Sequence, residues 1–258
     1  MKKTRLFLPL LFGAAGCLLR LAQLRTVFEP SGLARPHPLS ALLPLLLAAA
    51  AVCFLLPVRG REGKQLSFLH SFVLPEGQPP FDLVCAALLY LVSGVLLALK
   101  SVGGADLSPL ILAVLMGITG LALLLTLRLW RAGETPGRQL LPPVLFGLVQ
   151  LLAVYRRFAS WPVTAAFYVP VLAQAAIVFA FYQIASYGFG QGRRSVRWSL
   201  PMAVTLSLTA LPDAQDLPQA GMYLASAVTF FTFWRCLGAY TAETDGGGET
   251  QRGEEAAQ

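Results

Sequence analysis

One segment near the middle of the chain constrains its fold more than any other: residues 107–127 read LSPLILAVLMGITGLALLLTL, without a charge. An α-helix rises about 1.5 Å per residue, so about 20 residues cross a hydrocarbon core of about 30 Å. A helix of that length in a soluble protein would have a polar face, and this segment has none. The segment predicts a transmembrane helix, and similar runs on both sides of it place the whole chain in a membrane.

The composition also favours a membrane protein and argues against a nucleic-acid-binding one. Hydrophobic residues make up 56% of the chain and charged residues 13%, whereas soluble domains have about 25% charged residues. The formal net charge is +7, but the basic residues lie at the ends of the apolar runs. We interpret them as topology signals that contact lipid head groups, so we expect membrane lipids as partners and no nucleic acid.

We predict an all-α fold, a polytopic transmembrane helix bundle of about eight spans within residues 1–240. The spans fall at residues 6–24, 39–57, 83–100, 107–127, 140–156, 163–187, 198–212 and 217–235. The seventh is short for a bilayer, and a seven-span model is the alternative. Residues 241–258 are acidic and glycine-rich and predict a disordered cytoplasmic tail.

The basic residues divide unevenly between the two sides of an eight-span bundle. With the N-terminus inside, fourteen of the 20 lysines and arginines lie on the inner side: Lys2, Lys3, Arg5, Arg59, Arg61, Lys64, Arg128, Arg131, Arg138, Arg193, Arg194, Arg197, Arg235 and Arg252. The outer side holds Arg20, Arg25, Arg35, Lys100, Arg156 and Arg157. This bias predicts that both termini are cytoplasmic. Arg20 falls near the outer end of the first span, where we expect its long stem to reach the interface.

Two segments allow two interpretations each. The N-terminal residues up to Cys17 have the layout of a signal peptide with a lipid-attachment cysteine. However, the chain stays apolar after Cys17, which favours a retained first helix over cleavage. Residues 66–73, LSFLHSFV, are too short to span a bilayer and fit either a helix in the membrane interface or an irregular loop.

The two halves of the chain, residues 1–131 and 139–240, resemble each other faintly. PLLFG at residues 9–13 opens the first half and PVLFG at residues 143–147 opens the second. Four spans in each half would make a 4 + 4 parallel repeat, related by an axis along the membrane normal. The other interpretation is ordinary helix chemistry, such as a capping box of Asp216 with Gln219 and a Trp-Arg pair at an inner boundary.

The sequence contains no recognisable motif for catalysis, a nucleotide or a metal. There is neither H-E-x-x-H nor G-x-x-x-x-G-K-[ST], the four cysteines are isolated, and the two histidines lie in different loops. The Asp and Glu residues fall at the ends of the predicted spans or outside them, whereas proton-coupled carriers usually keep an intramembrane carboxylate. We therefore expect a protein that is not an enzyme, with no catalytic residues, no metal site and no cofactor.

Neutral polar residues at mid-depth are the remaining candidates for a binding site. They are Gln150, Gln174, Ser93, Thr119 and Ser207. One interpretation is that these side chains line a cavity for a neutral or zwitterionic solute. The other is that they form hydrogen bonds between helices, worth about 0.6 kcal/mol each on average.

A single loop carries a resemblance to other proteins. The sequence FEPSGL at residues 28–33, after the first helix, is similar to a loop of uncharacterised multi-pass membrane proteins of Gram-positive bacteria. The resemblance covers about a tenth of the chain and implies a bacterial plasma membrane; it implies no function.

Two functional classes remain at this stage. One is a small non-enzymatic permease, or the membrane subunit of a transport complex, for a neutral or zwitterionic solute. The other is a membrane scaffold or sensory anchor that assembles with protein partners or with further copies of itself. We favour the permease, because an anchor rarely needs eight spans.

Overall fold

The computed structural model describes residues 3–28, 37–56, 68–74, 80–102, 107–159 and 167–255, with no side chain described at 3–5, 70, 158–159 and 238–255. Over these residues the fold is all-α, as predicted. The helices are α1 (Lys3–Thr26), α2 (Leu39–Leu55), α3 (Phe68–Ser71), α4 (Phe81–Ser101), α5 (Ser108–Arg131), α6 (Leu141–Ala159), α7 (Tyr168–Gly188), α8 (Val196–Thr209) and α9 (Leu217–Glu255). The FEPSGL loop lies beyond the described residues after Phe28. The predicted tail, residues 241–258, has no described side chains, and its described backbone is helical to Glu255. Its disorder stays a prediction.

In the described part of the chain, five helices are long and apolar enough to cross a membrane. They are Leu6–Thr26, Phe81–Ser101, Ser108–Arg131, Arg138–Arg157 and Tyr168–Gly188. The chain is thus a membrane-embedded helical bundle. The predicted total of eight spans stays a prediction, because α2 has 17 residues and α8 has 14.

The helix α8 shows why a short helix is tolerated inside this bundle. Its 14 residues extend for only about 21 Å at the α-helical rise, which is less than a hydrocarbon core. Ten of its 14 residues are buried and the other four are half-buried, however, because α1, α2, α7 and α9 pack around it. A helix surrounded by other helices has no lipid-facing surface to match to the bilayer.

Six helices form a closed ring. Each helix from α4 to α9 packs on the next in sequence, and α9 packs back on α4, while α1 and α2 lie outside against α8. Aromatic side chains meet across the middle of the ring: the ring centroids of Tyr90 and Phe146 are 6.0 Å apart, and those of Phe181 and Phe230 are 4.7 Å apart. The hydrophobic core therefore lies within the ring of helices.

Small residues allow the closest helix pairs to approach. A Cβ atom at Gly120 of α5 would lie 2.8 Å from the Ala87 carbonyl oxygen of α4, and one at Gly94 would lie 3.0 Å from the Ala113 carbonyl oxygen. A Cβ at Gly16 of α1 would overlap Thr209 of α8. Because lipid offers no hydrophobic drive for helix association, such close packing supplies much of the attraction between helices.

The two sequence halves interleave in the bundle. Helix α1 of the first half packs on α8, and α4 packs on α9. The halves therefore do not form two separate bundles, and the duplication of residues 1–131 and 139–240 stays a prediction.

Candidate functional site

A cavity of about 770 Å³ opens at one end of the ring. We call this end the open end; it is formed by the last turns of α4 and α6, the first turns of α5, α7 and α9, and the α8–α9 connection. The charged side chains Lys100, Arg156, Arg157, Asp213 and Asp216 line the cavity at the helix ends, and we call them its rim. Leu97, Leu112, Met116 and Met222 line it at least one turn further along their helices, in what we call its deep part. A volume of this size is typical of small-molecule sites.

Gln150 on α6 is a polar residue that lines the cavity away from the helix ends. It lies seven residues before Arg157, which is about 10 Å along the helix, and its side chain is half-buried. It forms no hydrogen bond with any residue that the structure describes. Its amide therefore presents both a donor and an acceptor to whatever occupies the cavity.

At the rim, Asp216 connects α4 to the start of α9. Lys100 Nζ lies 2.8 Å from Asp216 Oδ2, and the Gln219 backbone N–H donates to Asp216 Oδ1 at 3.0 Å. Gln219 Oε1 accepts from the backbone N–H of Gln215 at 3.0 Å, so the predicted capping box is present with its return bond shifted by one residue. Burial alone would raise the pKa of Asp216, but the hydrogen bonds and the charge of Lys100 outweigh it and hold that pKa below its ordinary value.

A buried ion pair forms part of the cavity wall. Arg20 donates to Asp213 through Nε, at 2.8 Å to Oδ2, and through Nη2, at 2.7 Å to Oδ1. The Arg20 side chain is fully buried, with its guanidinium over the rings of Phe28 and Tyr168. Burial raises the pKa of Asp213, and the hydrogen bonds from Arg20 offset only part of that shift.

The position of Arg20 corrects our expectation that its stem would reach the membrane interface. The side chain turns inward instead, because the α8–α9 connection presents a carboxylate that can accept two of its N–H groups. A guanidinium satisfied in this way has no need of interfacial water.

The opposite end of the ring is closed by aromatic side chains, and we call it the plugged end. Phe68 of α3 and Phe72, which directly follows α3, are fully buried against Trp130 of α5 and Phe233 of α9. The Trp130 and Phe233 rings are stacked with centroids 5.5 Å apart, and Trp130 Nε1 donates to the Phe72 carbonyl at 3.0 Å. Tyr187 of α7 completes the group, 5.3 Å from the Phe72 ring.

Of the two interpretations of residues 66–73, the irregular loop is wrong for the described part, because residues 68–71 form the single helical turn of α3. The turn does not face lipid as an interfacial helix would, since Phe68 and the following Phe72 insert into the end of the ring. The low amphipathicity of the segment follows from this position, since a turn enclosed by helices needs no charged face. The depth of α3 in the membrane stays a prediction.

Of the five predicted site residues, Gln150 lines the cavity, and the other four are buried and do not line it. Gln174 Nε2 on α7 donates to the Gly147 carbonyl of α6 at 3.4 Å. Thr119 donates to the Leu115 carbonyl of its own helix at 2.8 Å. Ser93 faces Gly221 of α9, and Ser207 is buried in α8.

Sequence reasoning missed the charged rim. Lys100, Arg156 and Arg157 all belong to the six basic residues that the topology prediction assigns to the sparsely charged outer side. Basic residues on the outer side are unusual under the positive-inside rule, and this was the sequence signal for the rim. Their convergence at one cavity depends on contacts between helices that are distant in sequence.

Within the described residues, no group of three or more His, Cys, Asp and Glu side chains is placed to hold a metal ion. No protein-family model, curated protein or solved structure matches the chain.

Proposed function

We propose that this protein is a small permease, or the membrane subunit of a transport complex, and that its solute enters through the cavity at the open end. The observation that carries the proposal is the difference between the two ends of one helix ring. A cavity reaches into the ring from one end, and aromatic side chains close the other. A transporter caught with its site accessible from one side has this arrangement, whereas a scaffold has no need of it.

The charge distribution orients the proposed transporter. Arg128 and Arg131 end α5 and Arg138 precedes α6, all at the plugged end. The connection between α7 and α8 adds Arg193 and Arg194 there. By the positive-inside rule the plugged end faces the cytoplasm and the open end faces outward. Both termini are then cytoplasmic, in a bacterial plasma membrane.

Transport requires the aromatic plug to open while the cavity closes. Ser226 of α9 lies between the two, one helical turn beyond Met222 of the cavity and one turn before Phe230, and its hydroxyl is 2.7 Å from the Tyr90 hydroxyl. It is fully buried. Reagents on the plugged side can reach this position only when the plug separates.

Single cysteines test the proposal. After replacement of Cys17, Cys53, Cys85 and Cys236, the variants Gln150→Cys and Ser226→Cys are treated with a membrane-impermeant thiol reagent in right-side-out and inverted vesicles. We expect Gln150→Cys to react from the outer side and Ser226→Cys to react slowly from the cytoplasmic side. Ser207→Cys, an equally conservative change at a buried site in α8, is the control and should stay unreactive.

A static plug would give a different result. If Ser226→Cys never reacts from the cytoplasmic side, and the purified protein retains a stoichiometric protein partner, the permease is wrong and the scaffold replaces it.

A further inference from the structure

We infer that the cavity binds an amphipathic anion, with a carboxylate or phosphate group at the rim and an apolar body in the deep part. The inference rests on the proposed function, since it names the class of solute that the permease carries. It also replaces the neutral or zwitterionic solute expected from the sequence. The support comes from the charge of the rim, the pairing of its carboxylates and the apolar lining below them.

The rim carries more positive than negative charge. Lys100, Arg156 and Arg157 line it together with Asp213 and Asp216, and Arg20 lies directly behind Asp213. The wider charge count has the same sign: the sequence assigns six basic residues to this side of the membrane and four acidic ones, Glu29, Asp106, Asp213 and Asp216. A concave site with surplus positive charge and low-dielectric walls attracts anions.

Both carboxylates of the described rim already bind cationic side chains. Asp213 accepts the guanidinium of Arg20 through both of its oxygens, and Asp216 accepts Lys100 and the backbone N–H of Gln219. The ammonium group of a zwitterion would have to share these carboxylates with the cations that already bind them. An anion is attracted by the surplus positive charge of the rim, to which Arg156 and Arg157 at the end of α6 contribute.

The deep part of the cavity calls for an apolar group. Leu97 of α4, Leu112 and Met116 of α5, and Met222 of α9 surround it, and Gln150 supplies one amide. A small inorganic anion at the rim would leave these surfaces in contact with water. An apolar chain that fills the space removes them from water, at roughly 25 cal/mol per Å² of apolar area buried.

Four matched six-carbon probes separate the ligand classes. Purified protein in a maltoside detergent is titrated with hexanoate, hexyl phosphate, 6-aminohexanoate and hexanamide, and its melting temperature is recorded. We expect the two anions to raise the melting temperature with at least tenfold lower apparent Kd than the zwitterion or the amide, because binding to the folded state stabilises it. Acetate, which lacks the apolar body, should be as weak as the amide.

Charge variants test the rim itself. The double variant Arg156→Gln, Arg157→Gln should lose the response to hexanoate at least tenfold. Its control is Arg128→Gln, Arg131→Gln, which removes two exposed charges at the plugged end and should keep the response. Equal stabilisation by hexanamide, or an unchanged response in the rim variant, would overturn the inference.

The anion has two sources that the same sample distinguishes. If it is a lipid head group, native mass spectrometry should find an anionic lipid bound to the wild type, absent from the rim variant and displaced by hexyl phosphate. If it is a soluble amphiphile, no lipid is bound and the probes alone stabilise the protein. The two proposals can fail separately. If Ser226→Cys reacts but no anion binds, the permease stands and this inference is wrong. If an anion binds but Ser226→Cys does not react, the anion site stands and the permease is wrong.

Discussion

Both ends of the helix ring consist of helix termini and the connections between them. They differ in what occupies the space between the helices. At the plugged end the connection between α2 and α4 contributes the turn α3, and Phe68 and the following Phe72 occupy the space between the helices. At the open end that space is a cavity, and its rim is charged. One end of the ring is therefore closed by a single inserted turn together with the aromatic side chains that it contacts.

One ion pair at the open end is more deeply buried than the pair at the plugged end. At the plugged end Arg235 Nη1 lies 2.9 Å from Asp82 Oδ2, and both side chains are about a third exposed. At the open end Arg20 is fully buried with Asp213, whereas Lys100 of the second pair is exposed. Removing two charges from water costs several kcal/mol per ion before their attraction is counted, so the Arg20–Asp213 pair forms against a larger desolvation penalty than the Arg235–Asp82 pair.

Orientation is the all-or-none test of this comparison. Alkaline phosphatase fused after Ala214, at the open end, should be active, and the same enzyme fused after Gly137, at the plugged end, should be inactive. Activity on a chromogenic substrate in intact cells is the measurement. The reverse pattern would put the cavity on the cytoplasmic side.

The largest stability effect is expected from the buried pair. Arg20→Met leaves the Asp213 carboxyl buried without its partner and should lower the free energy of unfolding by about 3–5 kcal/mol. Lys100→Met, which breaks the more exposed pair with Asp216, should cost about 1 kcal/mol or less. Thermal unfolding in detergent measures both. Equal losses for the two variants would mean that burial does not distinguish them.

The plug should respond to a loss of volume. Phe72→Ala removes a fully buried ring that contacts Trp130, Tyr187 and Phe233, and we expect a loss of about 3 kcal/mol. Phe72→Leu, which keeps most of the volume, should cost less than about 1.5 kcal/mol. If the plug is the cytoplasmic gate, Phe72→Ala also speeds labelling of Ser226→Cys from that side. An unchanged rate of Ser226→Cys labelling in the Phe72→Ala variant would mean that the plug stabilises the bundle but is not the cytoplasmic gate.

Acid should weaken the rim through Asp216. Its pKa is lower in the folded protein than the ordinary value of 3.8, so its stabilising contribution is complete above that value and is lost as the pH falls below it. The difference in melting temperature between the wild type and Asp216→Asn should therefore shrink between pH 6 and pH 3. Asn retains the helix-capping role, which makes this variant a test of charge. If the difference in melting temperature between the wild type and Asp216→Asn stays constant with pH, the lowered pKa of Asp216 is wrong.

The smallest effects are expected from the two glutamines. Gln174→Leu removes one long hydrogen bond between α7 and α6 and should change the free energy of unfolding by about 0.6 kcal/mol. Gln150→Leu changes a side chain in the cavity and should stay within about 0.5 kcal/mol. A loss above 1 kcal/mol for Gln150→Leu would place this residue in a helix contact rather than in the cavity.

Sequence patterns predicted the helices well because lipid-facing helices obey local rules of length and polarity. The segment 107–127 corresponds to α5 at Ser108–Arg131, and 39–57 to α2 at Leu39–Leu55. The same rules failed for α3, since a short apolar turn is not distinctive unless its surroundings are known.

The candidate site was harder to predict than the fold. Gln150 was selected because an amide in an apolar run is conspicuous, and its binding role stays a prediction; Gln174 has the same property and forms a helix contact. Arg20 and Asp213 are 193 positions apart, and no local pattern joins them. From the sequence, each charged residue could be assigned only to one side of the membrane. Which charged residues pair or line the cavity depends on which helices pack together.

The separation of Arg20 from Asp213 has a consequence for biogenesis. Translation delivers Arg20 into the membrane with α1, and almost the entire chain must follow before its carboxylate partner exists. Helix α8, short and enclosed by α1, α2, α7 and α9, is likewise completed near the end of synthesis. Until that point the chain holds a guanidinium without its carboxylate partner and a face of α1 without the helix that covers it.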